Sequence, residues 1–214
     1  MLGGAAAMGG LLGLNACATA AGPMAARPRA GRDGITSLPR MRAHPDRIFD
    51  VKCCIRPFRP QGPRLDAEVM GDTLVIHNYG HGGSGWSLSW GSAAIAVEKA
   101  MTTLPDRVAV IGCGVIGLTS AIQAQRAGAQ VTIYTRDLLP KTRSVRANGS
   151  WTPDSRISLA EPAGPEVAAL WEQMAPTSWK TFRSYLGLPG RPVDFCDQYN
   201  LSDTPFKPRH DAPN

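Results

Sequence analysis

The chain has 214 residues, 43% of them hydrophobic, with a formal charge of +6 and an isoelectric point near 9.3. That apolar share excludes a disordered tail and suits one ordinary domain or one and a half small ones. The basic balance comes from 18 Arg and 5 Lys. The arginines are scattered, not interleaved with aromatics along one stretch, so an anionic small-molecule ligand is expected and a nucleic-acid surface is not.

Residues 1–26 carry no charge, and Arg27 is the first charged side chain. The Ala/Gly/Leu run is too weakly apolar and too interrupted for a membrane-spanning helix. It reads as the apolar core of an export signal, with Ala16-Cys17-Ala18 as a small-residue cleavage site. Leu14-Asn15-Ala16-Cys17 resembles a lipoprotein box, which would place a lipid, and a membrane attachment, on Cys17. The mild hydrophobicity suits a twin-arginine-type signal for an exported (periplasmic, secreted or lipid-anchored) protein, although no positive n-region precedes it. Residues 27–47 are rich in Arg, Pro and Gly and read as a linker.

A compact unit follows over 48–103. An extended piece is expected around 53–59, a strand over 73–78, a glycine turn at 80–85, and a helix over 88–101 with Ile95, Val97 and Ala100 among its apolar positions. Residues 104–160 read as a dinucleotide-binding unit: strand 107–111, helix 115–127 closed by Gly128, and strand 130–134, a βαβ half-unit. The chain is loop-like from 136 to 157. Over 161–214, helices are expected at 165–174 and from 178 to 186, separated by Pro176, then a strand over 193–199. The aromatics Trp171, Trp179, Phe182 and Tyr185 read as packing residues. The five cysteines, at 17, 53, 54, 113 and 196, match no zinc spacing, so no metal is expected.

The chemistry is carried by Gly112-Cys113-Gly114-Val115-Ile116-Gly117, which follows an apolar strand and opens an apolar helix. Gly112 allows the tight turn, Gly114 lets backbone approach a pyrophosphate, and Gly117 lets the helix pack close to the strand. Free N–H groups and the helix dipole then favour the anion. Asp137 lies 20 residues beyond Gly117, preceded by Arg136. An acid suits a ribose and an arginine suits a phosphate, so spacing alone leaves FAD, NAD and NADP open.

A second glycine stretch lies upstream: His77-Asn78-Tyr79-Gly80-His81-Gly82-Gly83-Ser84-Gly85, preceded by Arg56-Pro57-Phe58-Arg59-Pro60 and continuing through Trp86 and Ser87 to Trp90-Gly91. Together with Tyr134 to Asp137, Arg143-Ser144 and Ala147-Asn148-Gly149-Ser150-Trp151, these segments resemble the D-amino-acid oxidase family of flavoenzymes over most of residues 50 to about 204. The resemblance implies an α/β fold, with a Rossmann-like FAD-binding βαβ unit and a carboxy-terminal family segment permuted ahead of it. It also implies an incomplete substrate domain, since the family's substrate-contacting strands have no counterpart before the chain stops. It implies FAD as cofactor, and a D-amino acid and oxygen as substrates.

By resemblance, Arg56 grips the substrate carboxylate, which a guanidinium fork suits. The implied cofactor-binding residues are Gly112, Gly114, Val115, Ile116, Gly117, Arg136, Asp137, Arg143, Ser144, Asn148, Gly149 and Ser150, with Gly82, Gly83, Gly85, Trp86 and Ser87 near the flavin ring. His77 and His81 read as structural hydrogen-bonding residues. Ser84 stands where many family members have an aromatic. Two non-oxidase readings, a non-catalytic nucleotide-binding remnant and an NADP-dependent reductase, rest on the shortness of the chain and on Arg136.

Overall fold

The computed structural model describes residues 42–196 and 202–205, and the chain divides into two compact units, Met1–Asp50 and Val51–Asn214. The expected export signal, Cys17 and most of the linker lie outside the described residues. In the first unit a 3-10 turn, Pro45–Arg47, follows His44, whose Nδ1 meets Asp46 Oδ1 at 2.9 Å. Among the described residues no helix is long and apolar enough to cross a membrane.

The second unit is mixed α/β, with two small sheets and three helices. Strand β1 (Ala67–Met70) pairs antiparallel with β2 (Thr73–Ile76) through a two-residue turn at Asp72 and Gly71, the latter at φ +59°. β1 has no alternating pattern and all four of its residues are exposed, which is why the sequence signalled only β2. Helix α1 (Gly85–Ala100) begins three residues earlier than expected and is followed by a 3-10 turn, Met101–Thr103. Strand β3 (Arg107–Ile111), helix α2 (Val115–Arg126) and strand β4 (Gln130–Tyr134) form a βαβ unit whose strands pair in parallel, Val108 opposite Val131 and Ile111 opposite Tyr134. Gly128 (φ +97°) ends α2 as expected, its N–H donating to Gln125 O.

Helix α3 (Pro165–Ser184) replaces the two helices expected around Pro176. Pro176 has no N–H for the helix ladder. The turns on either side are nonetheless held by α1: Met174 and Ala175 are buried in the core with Leu88, and Ser178 Oγ accepts the Gly91 N–H at 2.7 Å. Tertiary packing overrides the break. The strand expected over 193–199 does not form in its described part, 193–196, where Asp194 instead pairs with Arg191 and caps the Phe195 N–H; the rest lies outside the described residues.

The core is built around α1, from small residues more than large ones. Ser87, Leu88, Ser89, Trp90, Gly91, Ser92, Ala93 and Ala96 are buried, whereas Ile95 and Val97 are only half-buried. Small side chains let the flanking helices approach. A methyl group on Gly91 would run into the Met174 backbone, so α1 and α3 cross in backbone contact there. Thr119 of α2 donates to Ser89 O at 3.2 Å on another side.

In the parallel pair, Val110 lies toward Gly117 of α2, and Val108, Val131 and Ile133 are also half-buried. The opposite face carries Arg107, Ala109, Ile111, Gln130, Thr132 and Tyr134, all exposed, Ile111 at 82%. Among the described residues neither outer edge of the pair has a strand beside it.

Candidate functional site

The two glycine stretches are brought together by a third segment, residues 142–156. At the phosphate-loop end, Gly112 adopts φ +105° with open space around it, and its N–H donates to Tyr134 O at 2.8 Å, which fixes the turn at the end of β4. A side chain there would be strained by the backbone alone. A methyl group on Gly117 would collide with Gly112 O, so strand end and helix start are in backbone contact, as expected. A methyl group on Gly114 would reach 3.0 Å from Ser144 Oγ, and that hydroxyl accepts the N–H of Val115, the first residue of α2, at 2.9 Å.

Ser144 belongs to a 3-10 turn, Arg143–Arg146, and its carbonyl accepts the indole N–H of Trp86 at 3.0 Å. The first turn of α1 and the first turn of α2 therefore meet at one residue. Next to it, Ser87 Oγ donates to Ser150 O at 3.2 Å and accepts the Thr152 N–H at 2.7 Å, while Asn148 Oδ1 accepts the Ser150 N–H at 3.2 Å. Gly149 takes φ +69° in that turn. The far end of the segment touches the upstream glycines: Gly83 N–H donates to Arg156 O at 3.4 Å, and the buried Ser84 hydroxyl donates to Ser155 O at 2.9 Å. Ser84 is fully buried, so a larger side chain there would have to displace its neighbours.

Arg56 stands at this end. A methyl group on Gly83 would lie 2.5 Å from Arg56 Nη1 and against Ser155 O, so the guanidinium rests on the glycine. The strand-like piece that carries it is registered by an isolated bridge, Phe58 with His81, and by the Gly82 N–H donating to Pro57 O at 2.9 Å. Arg59 is different in kind: its Nε donates to Gly62 O at 3.1 Å and its guanidinium lies 5.7 Å from the centre of the Tyr79 ring.

Arg136 and Asp137 follow β4 by two and three residues, but they face each other. Arg136 Nε and Nη2 both donate to Asp137 Oδ2, at 3.0 and 2.8 Å. That hydrogen bond holds the Asp137 carboxyl below its ordinary range and raises the arginine. Asp137 Oδ2 is thus shared by two N–H groups of one guanidinium.

The histidines behave as the sequence suggests. His77 Nε2 donates to Glu68 Oε2 at 2.9 Å and lowers that carboxyl, with help from Arg64, which also binds Asp66. His81 is 2% exposed and hydrogen-bonded to Ser92, and its burial pushes it down to about 4. Sequence reasoning missed Thr142, Ser155 and Arg156. Thr142 is buried with a hydroxyl that has no partner among the described residues, two positions from Ser144. Arg156 has φ +53°, a conformation no side-chain pattern announces. Among the described residues no cluster suits a metal ion. Two surface hollows, near 400 and 480 Å³, are lined by the carboxy-terminal halves of α1 and α2 and by residues 154–172; neither includes a glycine of the two stretches.

Residues 107–197 match the family described as DAO: FAD dependent oxidoreductase. The chain is 44% identical over 69 residues to a D-amino-acid oxidase of Dictyostelium discoideum, and 45% identical over 67 residues to one of Rubrobacter xylanophilus. Each match covers 31% of this chain and 20% of the relative. A D-aspartate oxidase of Cryptococcus neoformans is 46% identical over 52 residues, 23% of this chain and 13% of the relative. The matches thus span about a fifth or less of the length of these curated relatives. No solved structure matches the chain significantly. The family matched is FAD dependent.

Proposed function

We propose that the chain carries the flavin-contacting part of a D-amino-acid oxidase, which converts a D-amino acid to a 2-oxo acid with release of ammonia and hydrogen peroxide. The observation that carries this reading is the junction at Ser144, where the starts of both glycine-led helices meet within one hydrogen-bonded segment. The residues suit FAD: Gly112 takes φ +105° with open space around it, and the buried Thr142 hydroxyl, two positions from Ser144, has no partner among the described residues.

In this reading Gly112, Gly114, Val115, Ile116 and Gly117 present backbone to the pyrophosphate, with Ser144 able to turn from accepting to donating. Arg143, Asn148, Gly149 and Ser150 line the same segment, and the Arg136–Asp137 pair faces the adenosine end. Gly82, Gly83, Gly85, Trp86 and Ser87 support the ring end, where N–H groups at the start of α1 favour developing negative charge. FAD held there would supply the two-electron acceptor for the hydride on the substrate Cα. Arg56 holds the substrate carboxylate as a bidentate fork and so fixes Cα against the ring. With a neutral amine no side-chain base would be needed; water would hydrolyse the imine to the 2-oxo acid and ammonia, and oxygen would take the electron pair and two protons to give hydrogen peroxide.

The order of segments reads as a circular permutation, since only residues 101–106 separate the end of α1 from β3, and Leu104 turns them at φ +46°. Residues 1–26 are proposed as the export signal, with Cys17 as the lipid site. Both are testable by the mass of the mature product.

The test is the visible spectrum of the purified chain reconstituted with FAD, then treated anaerobically with D-alanine. Bound yellow flavin that bleaches supports the oxidase. Bound flavin that never bleaches marks a non-catalytic remnant, and a chain that takes up no FAD defeats the proposal. The Arg136–Asp137 pair engages the arginine of the NADP reading and the acid of the FAD reading alike, so a rise in melting temperature with NADP and not with FAD would favour the reductase.

A further inference from the structure

Four side chains link the upstream glycine stretch to the phosphate-loop helix. His81 Nε2 lies 2.8 Å from Ser92 Oγ, Ser92 Oγ donates to Asn78 Oδ1, and Asn78 Nδ2 donates to Ser120 Oγ at 3.1 Å. His81 and Asn78 flank the turn after β2, Ser92 is on α1, and Ser120 is on α2. The direction of the chain is set by its members. An amide oxygen only accepts, so the single Ser92 proton goes to Asn78, and the Ser92 oxygen must receive a proton from His81. His81 therefore carries its proton on Nε2. Its Nδ1 is buried with no partner among the described residues. A bare lone pair is easier to leave there than an orphaned N–H, which points to the same tautomer.

We infer that His81 is a positioning residue: its Nε2–H starts a one-way hydrogen-bond chain that ties the Gly82–Gly85 turn to α2. The inference rests on the flavin reading above, because a single ligand held by both stretches loses affinity when their separation is free to vary. His81 itself touches neither Arg56 nor the phosphate loop through any hydrogen bond. It acts through Ser92, Asn78 and Ser120. The chain also explains why α1 carries a serine at 92 where a packing residue would otherwise serve.

The test measures FAD affinity of the full chain for wild type, His81→Phe, His81→Gln, Ser120→Ala and the His81→Phe/Ser120→Ala double variant. Circular dichroism and thermal unfolding follow the fold alongside, and nitrogen NMR reads the tautomer. His81→Phe should weaken FAD binding about tenfold and Ser120→Ala about threefold, the range set by one net hydrogen bond each. The two effects should be less than additive, because they break one chain. His81→Gln restores an N–H donor and should recover most of the affinity and the wild-type visible flavin band. Ser120 is half-buried, so its variant guards against a His81→Phe that fails to fold. FAD binding equal in all folded variants, additive losses, or a proton on Nδ1 would each overturn the inference alone. A wild-type chain with the Nε2 proton that takes up no FAD would overturn the flavin reading, and His81's positioning role with it.

Discussion

The indole N–H of Trp86 reaches the carbonyl oxygen of Ser144 at 3.0 Å, and the hydroxyl of the same serine takes the Val115 N–H. One residue thus satisfies the starts of two helices that are 30 positions apart in sequence (Gly85 and Val115).

Ser144→Ala should therefore cost about 1 kcal/mol, the typical effect of removing a helix-start acceptor. Trp86→Phe removes the other bond and should cost a similar amount of about 1 kcal/mol. Denaturant unfolding followed by circular dichroism measures both. A Ser144→Ala chain as stable as wild type would show that Val115 finds another acceptor.

Gly83→Ala places a methyl group against Ser155 O and 2.5 Å from Arg56 Nη1. Either the segment 155–156 or the arginine must move. The expected result is a loss of about 1–3 kcal/mol from overpacking, with weaker carboxylate binding. Thermal unfolding and titration with benzoate as a carboxylate probe read the two effects separately.

Gly91→Ala should be at least as damaging, because all three of the nearest obstacles are backbone atoms of Met174 inside a helix, whereas at Gly83 one is the end of the Arg56 side chain. A loss of about 2–3 kcal/mol is expected. Gly71→Ala is the control: it has open space but φ +59°, so only the smaller backbone cost of about 1 kcal/mol applies. Equal stabilities for the two variants would contradict the close crossing of α1 and α3.

The pH profile should carry the mark of His81. Its folded value, about 4, lies below the ordinary 6.5, so between these limits the unfolded chain binds more protons. Stability is fully present above pH 6.5 and falls as pH drops toward 4, by an amount on the order of 3 kcal/mol. Asp66, Glu68 and Asp137, which are lowered by their hydrogen bonds to Arg64, His77 and Arg136 respectively, act in the same direction but only below their ordinary carboxyl range. Chemical denaturation from pH 4 to 7 should show the slope in wild type, and a flatter profile in His81→Gln.

Much of the βαβ unit was legible because its signals are local: two runs of apolar residues at strand length, a glycine turn and a capping Gly128. β3 and β4 appear at the residues expected. The packing around α1 was not legible: Ile95, Val97 and Ala100 are the apolar positions expected, whereas Ser87, Ser89 and Ser92 are buried because neighbouring segments distant in sequence pack on them. Pro176 reads as a break for the same reason: what keeps α3 continuous is contact with Gly91 and Leu88, distant in sequence. At the site, the motifs announced the glycines and Arg56. They could not announce Ser155 and Arg156, whose contribution is carbonyl oxygens, a group every residue possesses.

The bare side of the β3–β4 pair has a practical consequence for handling the chain. Among the described residues neither outer edge of the pair has a strand beside it, and such edges, next to exposed Ile111 and Tyr134, are a template for adding further chains edge to edge. Clouding in concentrated solution should begin there. An Ala109→Lys substitution, on the open face and away from both glycine stretches, should raise the concentration at which light scattering sets in while leaving the unfolding midpoint unchanged.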